Sequence, residues 1–200
     1  LLLGIHPAQQ RLAFEELLAH QLSLRQLRSQ QRHVLAPVFG AEGQLGNALR
    51  ASLPFELTGA QQRVVAEIAQ DLQQPQPMLR LVQGDVGSGK TVVAALAALQ
   101  AVDAGFQVAL MAPTELLAEQ HKANFSDWLK PLDVKIGWLS GRVKGNRRLA
   151  VLEQIAEGNV QVVVGTQALF QDEVQFHSLG LVIIDEQHRF GVHQRLALRE

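Results

Sequence analysis

The residues from Gly84 to Thr91 read GDVGSGKT and have the types and spacing of a phosphate-binding loop. Glycines let the backbone turn tightly and bring its N–H groups against phosphate oxygens, and the helix that follows directs the positive end of its dipole at the same anion. Lys90 is expected to reach the β and γ phosphates, and Thr91 to offer its hydroxyl to Mg²⁺. The predicted phosphate-binding residues are Gly84, Asp85, Val86, Gly87, Ser88, Gly89, Lys90 and Thr91.

A second candidate site is the acidic pair Asp185 and Glu186, which follows an apolar run of strand length. Asp185 can hold Mg²⁺ through its water shell together with Thr91, and Glu186 can orient and deprotonate the water that attacks a γ phosphate. A metal-bound carboxylate does not readily take a proton, so the two acids divide the work. Lys90 and Glu186 are therefore the predicted catalytic residues. Without the glycine-rich loop, the acidic pair would be read as an ordinary turn after a strand.

The positions after this acidic pair are Gln187 and His188. A lone histidine is usually structural or solvated, but this pair directly follows the predicted water-activating acid. Gln187 and His188 are therefore predicted to sense the γ phosphate and to relay its presence across a cleft.

Alternating apolar runs and helix-forming segments predict the elements that bring these sites together. A strand at Met78–Val82 is expected to lead into the glycine loop, and a helix from Lys90 to leave it. Further strands are predicted at 107–112, 134–139, 160–165 and 179–184, with helices at 114–129 and 147–156. Continuous Val, Ile and Leu in the strands indicate an α/β fold, a parallel sheet flanked by helices. Its ligands should bind where the strands end.

The first 50 residues are predicted to be a separate interdomain segment. A helix is expected from about Ala8 to about Arg32, and 36–47 carry three glycines and a proline without periodicity, which indicates a linker. Residues 51–200 are then the main domain, in which Thr58 caps a helix. Near that cap, Gln61 could contact an adenine edge and Phe55 could stack on the base. From the residues alone, a solvated helix-start glutamine and a core phenylalanine are the favoured readings.

Composition bounds the remaining possibilities. The chain has no cysteine, which excludes disulfides, Cys-ligated zinc and thiol catalysis, and is compatible with a cytoplasmic protein. No apolar run approaches the roughly 20 residues needed to span a bilayer, so no membrane anchor is expected. The formal net charge of −1 does not indicate a nucleic-acid partner. A basic stretch between Lys122 and Arg148 could meet phosphates, although a solvated surface is the favoured reading.

Four motifs together resemble the first motor lobe of superfamily 2 helicases, and specifically the RecG family of branched-DNA helicases. They are GDVGSGKT, APTELLAEQH at 112–121, VGTQALF at 164–170 and DEQHRFGV at 185–192. The resemblance implies a RecA-like P-loop NTPase fold that binds ATP and Mg²⁺. It also makes Gln61 and Phe55 expected adenine-side residues, Pro113, Thr114 and Thr166 expected DNA-backbone contacts, and Gln187 and His188 expected coupling residues.

For the whole enzyme, the RecG resemblance implies ATP-driven reversal of replication forks and branch migration of Holliday junctions in DNA repair and recombination. The DNA wedge domain and the second motor lobe would lie outside residues 1–200, and the lobe is expected to be incomplete at its C-terminal end. Transcription-repair coupling translocases are the nearest alternative, although they usually carry Glu where Gln187 stands. A non-motor ATP-binding interaction module is a second alternative. A small-molecule kinase would leave the acidic pair unexplained.

Overall fold

Short runs of β-branched and apolar residues alternate with helices along most of this chain. The computed structural model describes residues 7–31, 35–41 and 43–186. Its helices are α1 (Pro7–Gln31), α2 (Gln44–Ser52), α3 (Gly59–Leu72), α4 (Lys90–Asp103), α5 (Glu115–Leu129) and α6 (Gly145–Ala156). Its strands are β1 (Gln107–Met111), β2 (Ile136–Leu139), β3 (Val162–Gly165) and β4 (Leu179–Ile184), and short 3-10 turns occupy Lys130–Leu132 and Gln167–Phe170.

The strands form one parallel sheet in the order β2-β3-β1-β4. Val108 and Ala109 of β1 pair with Val162 and Val163 of β3, and β1 also pairs with β4 on its other side. The two inner strands, β1 and β3, are buried along their whole length. This burial explains why both read as continuous apolar runs, since helices cover both faces of a parallel sheet. The predicted α/β fold is confirmed.

Helix α4 connects the sheet to the glycine loop. Its residues are apolar on every side, and it is buried along most of its length from Val92 to Ala101. A helix that is apolar all round must be surrounded by other elements, and α4 contacts α2, α3, β1 and β4. Because α4 begins at Lys90, directly after the loop, this packing fixes where the loop lies relative to the sheet.

The predicted strand at Met78–Val82 is wrong. The segment belongs to no helix and pairs with no strand in the described part of the chain, and Leu79 and Leu81 are 81% and 69% exposed. It is held instead by Arg80, whose guanidinium bonds Asp71 at 2.8 Å and Glu67 at 2.5 Å on α3. A strand exists only through hydrogen bonds to a neighbour, so an apolar run alone was insufficient evidence.

The predicted linker at 36–47 also needs correction. Phe39 and Leu49 are almost completely buried in the main core, and α2 begins at Gln44, inside the predicted linker. The first turn of α2 is capped from a distance, because the Asp103 carboxylate accepts a hydrogen bond from the N–H of Leu45 at 3.2 Å. Residue 103 lies at the end of α4, so no local signal could have indicated this helix start.

The long N-terminal helix is confirmed as α1, and up to residue 23 it exposes its large apolar side chains, Phe14 and Leu17 among them. Among the described helices, none is both long enough and apolar enough to span a bilayer. The division of the chain near residue 50 stays a prediction.

Candidate nucleotide-binding site

The glycine loop runs from Gly84 to the start of α4 and adopts a backbone that needs glycine at two positions. Gly87 and Gly89 have φ angles of 83° and 78°, in the left-handed region that side chains disfavour. The turn is closed by a hydrogen bond of 3.1 Å from the N–H of Ser88 to the carbonyl of Asp85. Within the described part of the chain, the N–H groups of Val86, Gly87 and Gly89 donate no backbone hydrogen bond. A run of such free donors at a helix start is suited to an anion.

The Lys90 side chain folds back over this loop. Its ammonium donates hydrogen bonds to the carbonyls of Gly84 at 2.6 Å and Asp85 at 2.9 Å. The loop therefore concentrates one full positive charge and several free N–H donors within a few residues. That set of donors fits the phosphates of a nucleotide.

Gly89→Ala is expected to lower the free energy of unfolding by about 1–3 kcal/mol, because a side chain in this conformation is strained. An added Cβ would also lie 2.3 Å from the Gln61 amide nitrogen and displace it. Urea denaturation measures the effect. Gly141→Ala is the matched control, because its Cβ would meet nothing within 4 Å and its φ is not positive. Equal stabilities for the two variants would contradict the strain argument.

The acidic pair lies at the carboxyl end of β4. Asp185 follows the strand directly, and its N–H donates to the carbonyl of Met111, the last residue of β1, at 2.8 Å. The next residue, Glu186, has a φ of 51°, which is uncommon for a residue other than glycine. Residues held in such conformations occur more often at functional sites. The strand end and the backbone turn together fix where both carboxylates leave the sheet.

Asp185 makes a close contact with His121 of α5. The Nε2 atom of His121 lies 2.6 Å from the Asp185 carboxylate. This hydrogen bond is the main reason that the pKa of the Asp185 carboxyl is lowered from its ordinary value of 3.8; partial burial opposes the shift. The Glu186 N–H and the positive charge of Lys90 lower this pKa further. The charge of Lys90 therefore acts on the Asp185 carboxylate, which links the glycine loop electrostatically to the acidic pair.

This lowered pKa predicts how stability depends on pH. Because the folded-state pKa is below the unfolded value, Asp185 contributes stability that is present above about pH 4 and is lost as pH falls through the folded pKa. Wild type and Asp185→Asn should therefore differ in free energy of unfolding at pH 6, and the difference should shrink below pH 4. Urea titrations across this range measure it. A difference that grows on acidification would contradict the assignment.

A magnesium ion would have few protein ligands at this site. The described residues contain no group of three or more His, Cys, Asp or Glu side chains placed to hold a metal. Mg²⁺ typically keeps several waters and is held by one or two carboxylates plus substrate phosphates. Asp185 and Thr91 fit that pattern, in which the nucleotide itself supplies the remaining oxygens.

Gln61 joins the helix start of α3 to the glycine loop. The side-chain Oε1 of Gln61 accepts a hydrogen bond from the backbone N–H of Thr58 at 2.8 Å. The backbone N–H of Gln61 donates to the Thr58 hydroxyl at 3.3 Å, which completes a capping box. Its Nε2 donates to the carbonyl of Ser88 at 2.9 Å. Both ends of the amide are therefore engaged, and contact with an adenine would require them to exchange partners. The adenine contact stays a prediction.

Phe55 is not a core residue, because 46% of its side chain is exposed. It lines a cleft of about 610 Å³ together with Arg50, Pro54 and Gln62. Gln61, which contacts the loop, is not among the residues that line this cleft. Stacking of Phe55 on a base stays a prediction.

The expected DNA-backbone contacts lie at the ends of β1 and β3. Thr114 is exposed and caps α5, where its hydroxyl accepts from the N–H of Leu117 at 3.3 Å; Pro113 precedes it. Thr166 is only 8% exposed, so its hydroxyl has little surface to offer a backbone phosphate. The predicted coupling residues Gln187 and His188 lie outside the described residues.

Sequence reasoning assigned no role to His121. A signal for it existed: His121 follows Thr114 by seven residues, about two helical turns, so both lie on one face of α5. Its partner, 64 positions later in the chain, is apparent only in the fold.

Comparison with known proteins identifies the family. Residues 58–200 match the DEAD/DEAH box helicase family. The chain belongs to the DEAD/DEAH box helicase family. The glycine loop, the acidic pair and the sheet that positions them all lie within the matched part of this helicase domain.

Within this helicase family, the chain is similar to RecG proteins over nearly its whole length. It is 63% identical to the ATP-dependent DNA helicase RecG of Escherichia coli (strain K12) over 197 residues, 98% of this chain and 28% of that protein. It is 50% identical to the RecG protein of Synechocystis sp. (strain ATCC 27184 / PCC 6803 / Kazusa), over 96% of this chain and 23% of that protein. The resemblance to RecG proteins expected from the sequence is confirmed. The chain spans little more than a quarter of the length of the RecG relatives that it matches most fully.

A solved structure described as RecG bound to a three-way DNA junction superposes with a TM-score of 0.84 at 43% identity. The superposition covers 91% of this chain and 25% of the chain in the solved structure. The fold is shared by a hypothetical ATP-dependent RNA helicase from Sulfolobus tokodaii, which is 23% identical. That superposition has a TM-score of 0.54 and covers 72% of this chain and 41% of the helicase chain. The helicase-type RecA-like fold predicted from the sequence is therefore confirmed.

Proposed function

We propose that this chain forms the ATP-binding part of the first motor lobe of a DNA helicase that remodels branched DNA. The observation that carries the proposal is that the positive charge of Lys90 lowers the pKa of the Asp185 carboxyl, although the two residues are 95 positions apart in the chain. A cationic anion-binding loop beside a carboxylate of lowered pKa fits a metal-bound triphosphate. The similarity to RecG proteins, one of them bound to a three-way DNA junction, supports DNA as the polymer acted on.

In the proposed reaction, each side chain has a separate task. The loop N–H groups and Lys90 bind the phosphates, and Thr91 and Asp185 hold the water shell of Mg²⁺. When bound, Mg²⁺ would neutralise charge that develops on the β and γ oxygens. Glu186 orients the attacking water and accepts its proton. Phe55 and Gln61 face the base, and Gln187 and His188 couple ATP hydrolysis to DNA binding. Pro113 and Thr114 contact the DNA backbone; Thr166, which is buried at the end of β3, would have to become exposed to join them.

The proposed partners are branched DNA and further domains of the same polypeptide, a wedge domain and a second motor lobe. Residues 1–50 would connect the wedge to the motor, and 51–200 would belong to the motor lobe. The proposed location of the protein is the cytoplasm. The proposed cellular reactions are replication fork reversal and branch migration of Holliday junctions.

The decisive experiment is the ATPase rate of the intact protein with and without forked DNA. We expect forked DNA to stimulate the rate strongly, and Thr114→Val to reduce the stimulation without changing the DNA-free rate. An ATPase that ignores DNA would favour the non-motor ATP-binding module instead. The 200-residue chain alone should turn over ATP barely, because an arginine supplied by another lobe is typically worth about 10³–10⁵ in rate.

A further inference from the structure

His121 reaches the acidic pair from a different part of the fold. It lies on α5, seven residues after the helix cap at Thr114, and its side chain is only 14% exposed. The same helix buries Ala118, Phe125 and Leu129 against the rest of the domain. These positions are three, four and eight residues from His121, so the histidine belongs to the packed face of α5. Its backbone is therefore held in place by the core.

The contact with Asp185 has the geometry of a strong hydrogen bond. The Nε2 atom lies 2.6 Å from Oδ2 of Asp185, and the Asp185 side chain is itself only 29% exposed. Hydrogen bonds to a carboxylate are shorter and stronger than neutral ones. An ionised carboxylate can only accept, so the proton lies on Nε2 of the histidine.

The other ring nitrogen supports the same tautomer. The Nδ1 atom of His121 is buried and has no hydrogen-bond partner in the part of the chain that the structure describes. A proton on Nδ1 would be a buried donor without an acceptor, which is costly. The ring therefore directs its Nε2–H at Asp185, and among the described residues Nδ1 has no hydrogen-bond partner that would compete for the ring's orientation.

We propose that His121 is a positioning residue that orients the Asp185 carboxylate for Mg²⁺, acting from α5 across the edge of the sheet. The proposal rests on the proposed nucleotide site. An Asp carboxylate offers about four acceptor positions. One is taken by His121, which fixes the side-chain rotation, and another by the Glu186 N–H; the remaining positions are left for the water shell of the metal. Hydrogen-bond partners of metal-binding side chains commonly contribute 10–100-fold to metal affinity.

The test compares two replacements of His121 in the intact protein. Gln carries an amide N–H at about the reach of Nε2, whereas Leu fills the space without a donor. The measurement is the Mg²⁺ concentration that half-saturates binding of a non-hydrolysable ATP analogue, followed by fluorescence of a labelled nucleotide. We expect His121→Leu to raise that concentration about tenfold or more. His121→Gln should half-saturate at a Mg²⁺ concentration close to that of the wild type. Nucleotide binding in EDTA should be the same in all three proteins.

His177→Leu is the matched control. His177 is exposed and precedes β4 at its amino end, about 20 Å from Asp185 along the strand. The His177→Leu variant should have the same Mg²⁺ dependence of nucleotide binding as the wild type. An unchanged Mg²⁺ dependence in His121→Leu would overturn the proposal. The proposal would also be overturned if His121→Leu and His121→Gln lost the same stability and the same metal-free nucleotide binding. Equal losses would indicate that His121 has a packing role alone.

A measurement on the wild type tests the hydrogen bond without any substitution. Nitrogen-detected NMR of histidine-labelled protein distinguishes a proton on Nε2 from one on Nδ1. We expect an Nε2–H signal for His121 that shifts with Mg²⁺ and the ATP analogue but not with the analogue in EDTA. An Nδ1–H tautomer would overturn the proposal. A wild type that binds no nucleotide would instead refute the proposed function, while the tautomer would still report on the hydrogen bond.

Discussion

Glu186→Gln is expected to lower ATP turnover by about 10²–10⁴-fold while Mg-ATP still binds with nearly wild-type affinity. An amide has the shape of the carboxylate but cannot accept a proton from water, and positioned general bases typically contribute this much. Glu186 follows Asp185 at the end of β4 and its φ of 51° is retained by the substitution, so the backbone should not change. Steady-state ATPase rates with forked DNA, together with nucleotide titrations, measure both effects in the intact protein.

Two variants make this result specific. Glu119→Gln removes an exposed carboxylate of α5 and should turn over ATP normally. Asp185→Asn should weaken Mg²⁺-dependent nucleotide binding as well as turnover, because its predicted task is to hold the metal. A Glu186→Gln enzyme that hydrolyses ATP within about threefold of wild type would show that another group accepts the proton.

Lys90→Met is expected to reduce nucleotide affinity or turnover by about three orders of magnitude. At an effective dielectric of about 20, an ammonium about 4 Å from a phosphate charge contributes roughly 4 kcal/mol, and each 1.4 kcal/mol is about tenfold. Methionine keeps the side chain out to the position of Cε and removes the terminal ammonium, with its charge and its hydrogen-bond donors. Calorimetric titration with the ATP analogue and ATPase assays of the intact protein provide the measurement.

Lys135→Met is the control for this loss of charge, because Lys135 is exposed and precedes β2 at the end of the sheet opposite to the site. It should bind nucleotide as the wild type does. The substitution at Lys90 also removes its hydrogen bonds to the carbonyls of Gly84 and Asp85, so thermal unfolding without nucleotide should be measured in parallel. Wild-type affinity in Lys90→Met would refute the phosphate-binding role of the loop.

Much of the fold could be predicted because its signals are local. Thr58 caps the helix that it was expected to cap, and Thr114 caps α5 in the same way, since a hydroxyl three residues before a helical N–H needs no distant partner. The buried strands β1 and β3 are recognisable as continuous apolar runs. The strand at Met78–Val82 failed because pairing is a property of two segments. Helix α2 was missed because Asp103 caps it from the end of another helix.

The residues of the chain by themselves determined a glycine loop at a helix start, an acidic pair at a strand end and a parallel sheet to carry both. Each depends on backbone geometry or periodicity within a few neighbouring positions. Only the tertiary structure decided which side chains meet: the Gln61 amide on the carbonyl of Ser88, and the His121 ring on the Asp185 carboxylate. The first contact spans 27 positions of the chain and the second spans 64. Such contacts depend on how helices pack on the sheet, and no local pattern encodes that packing.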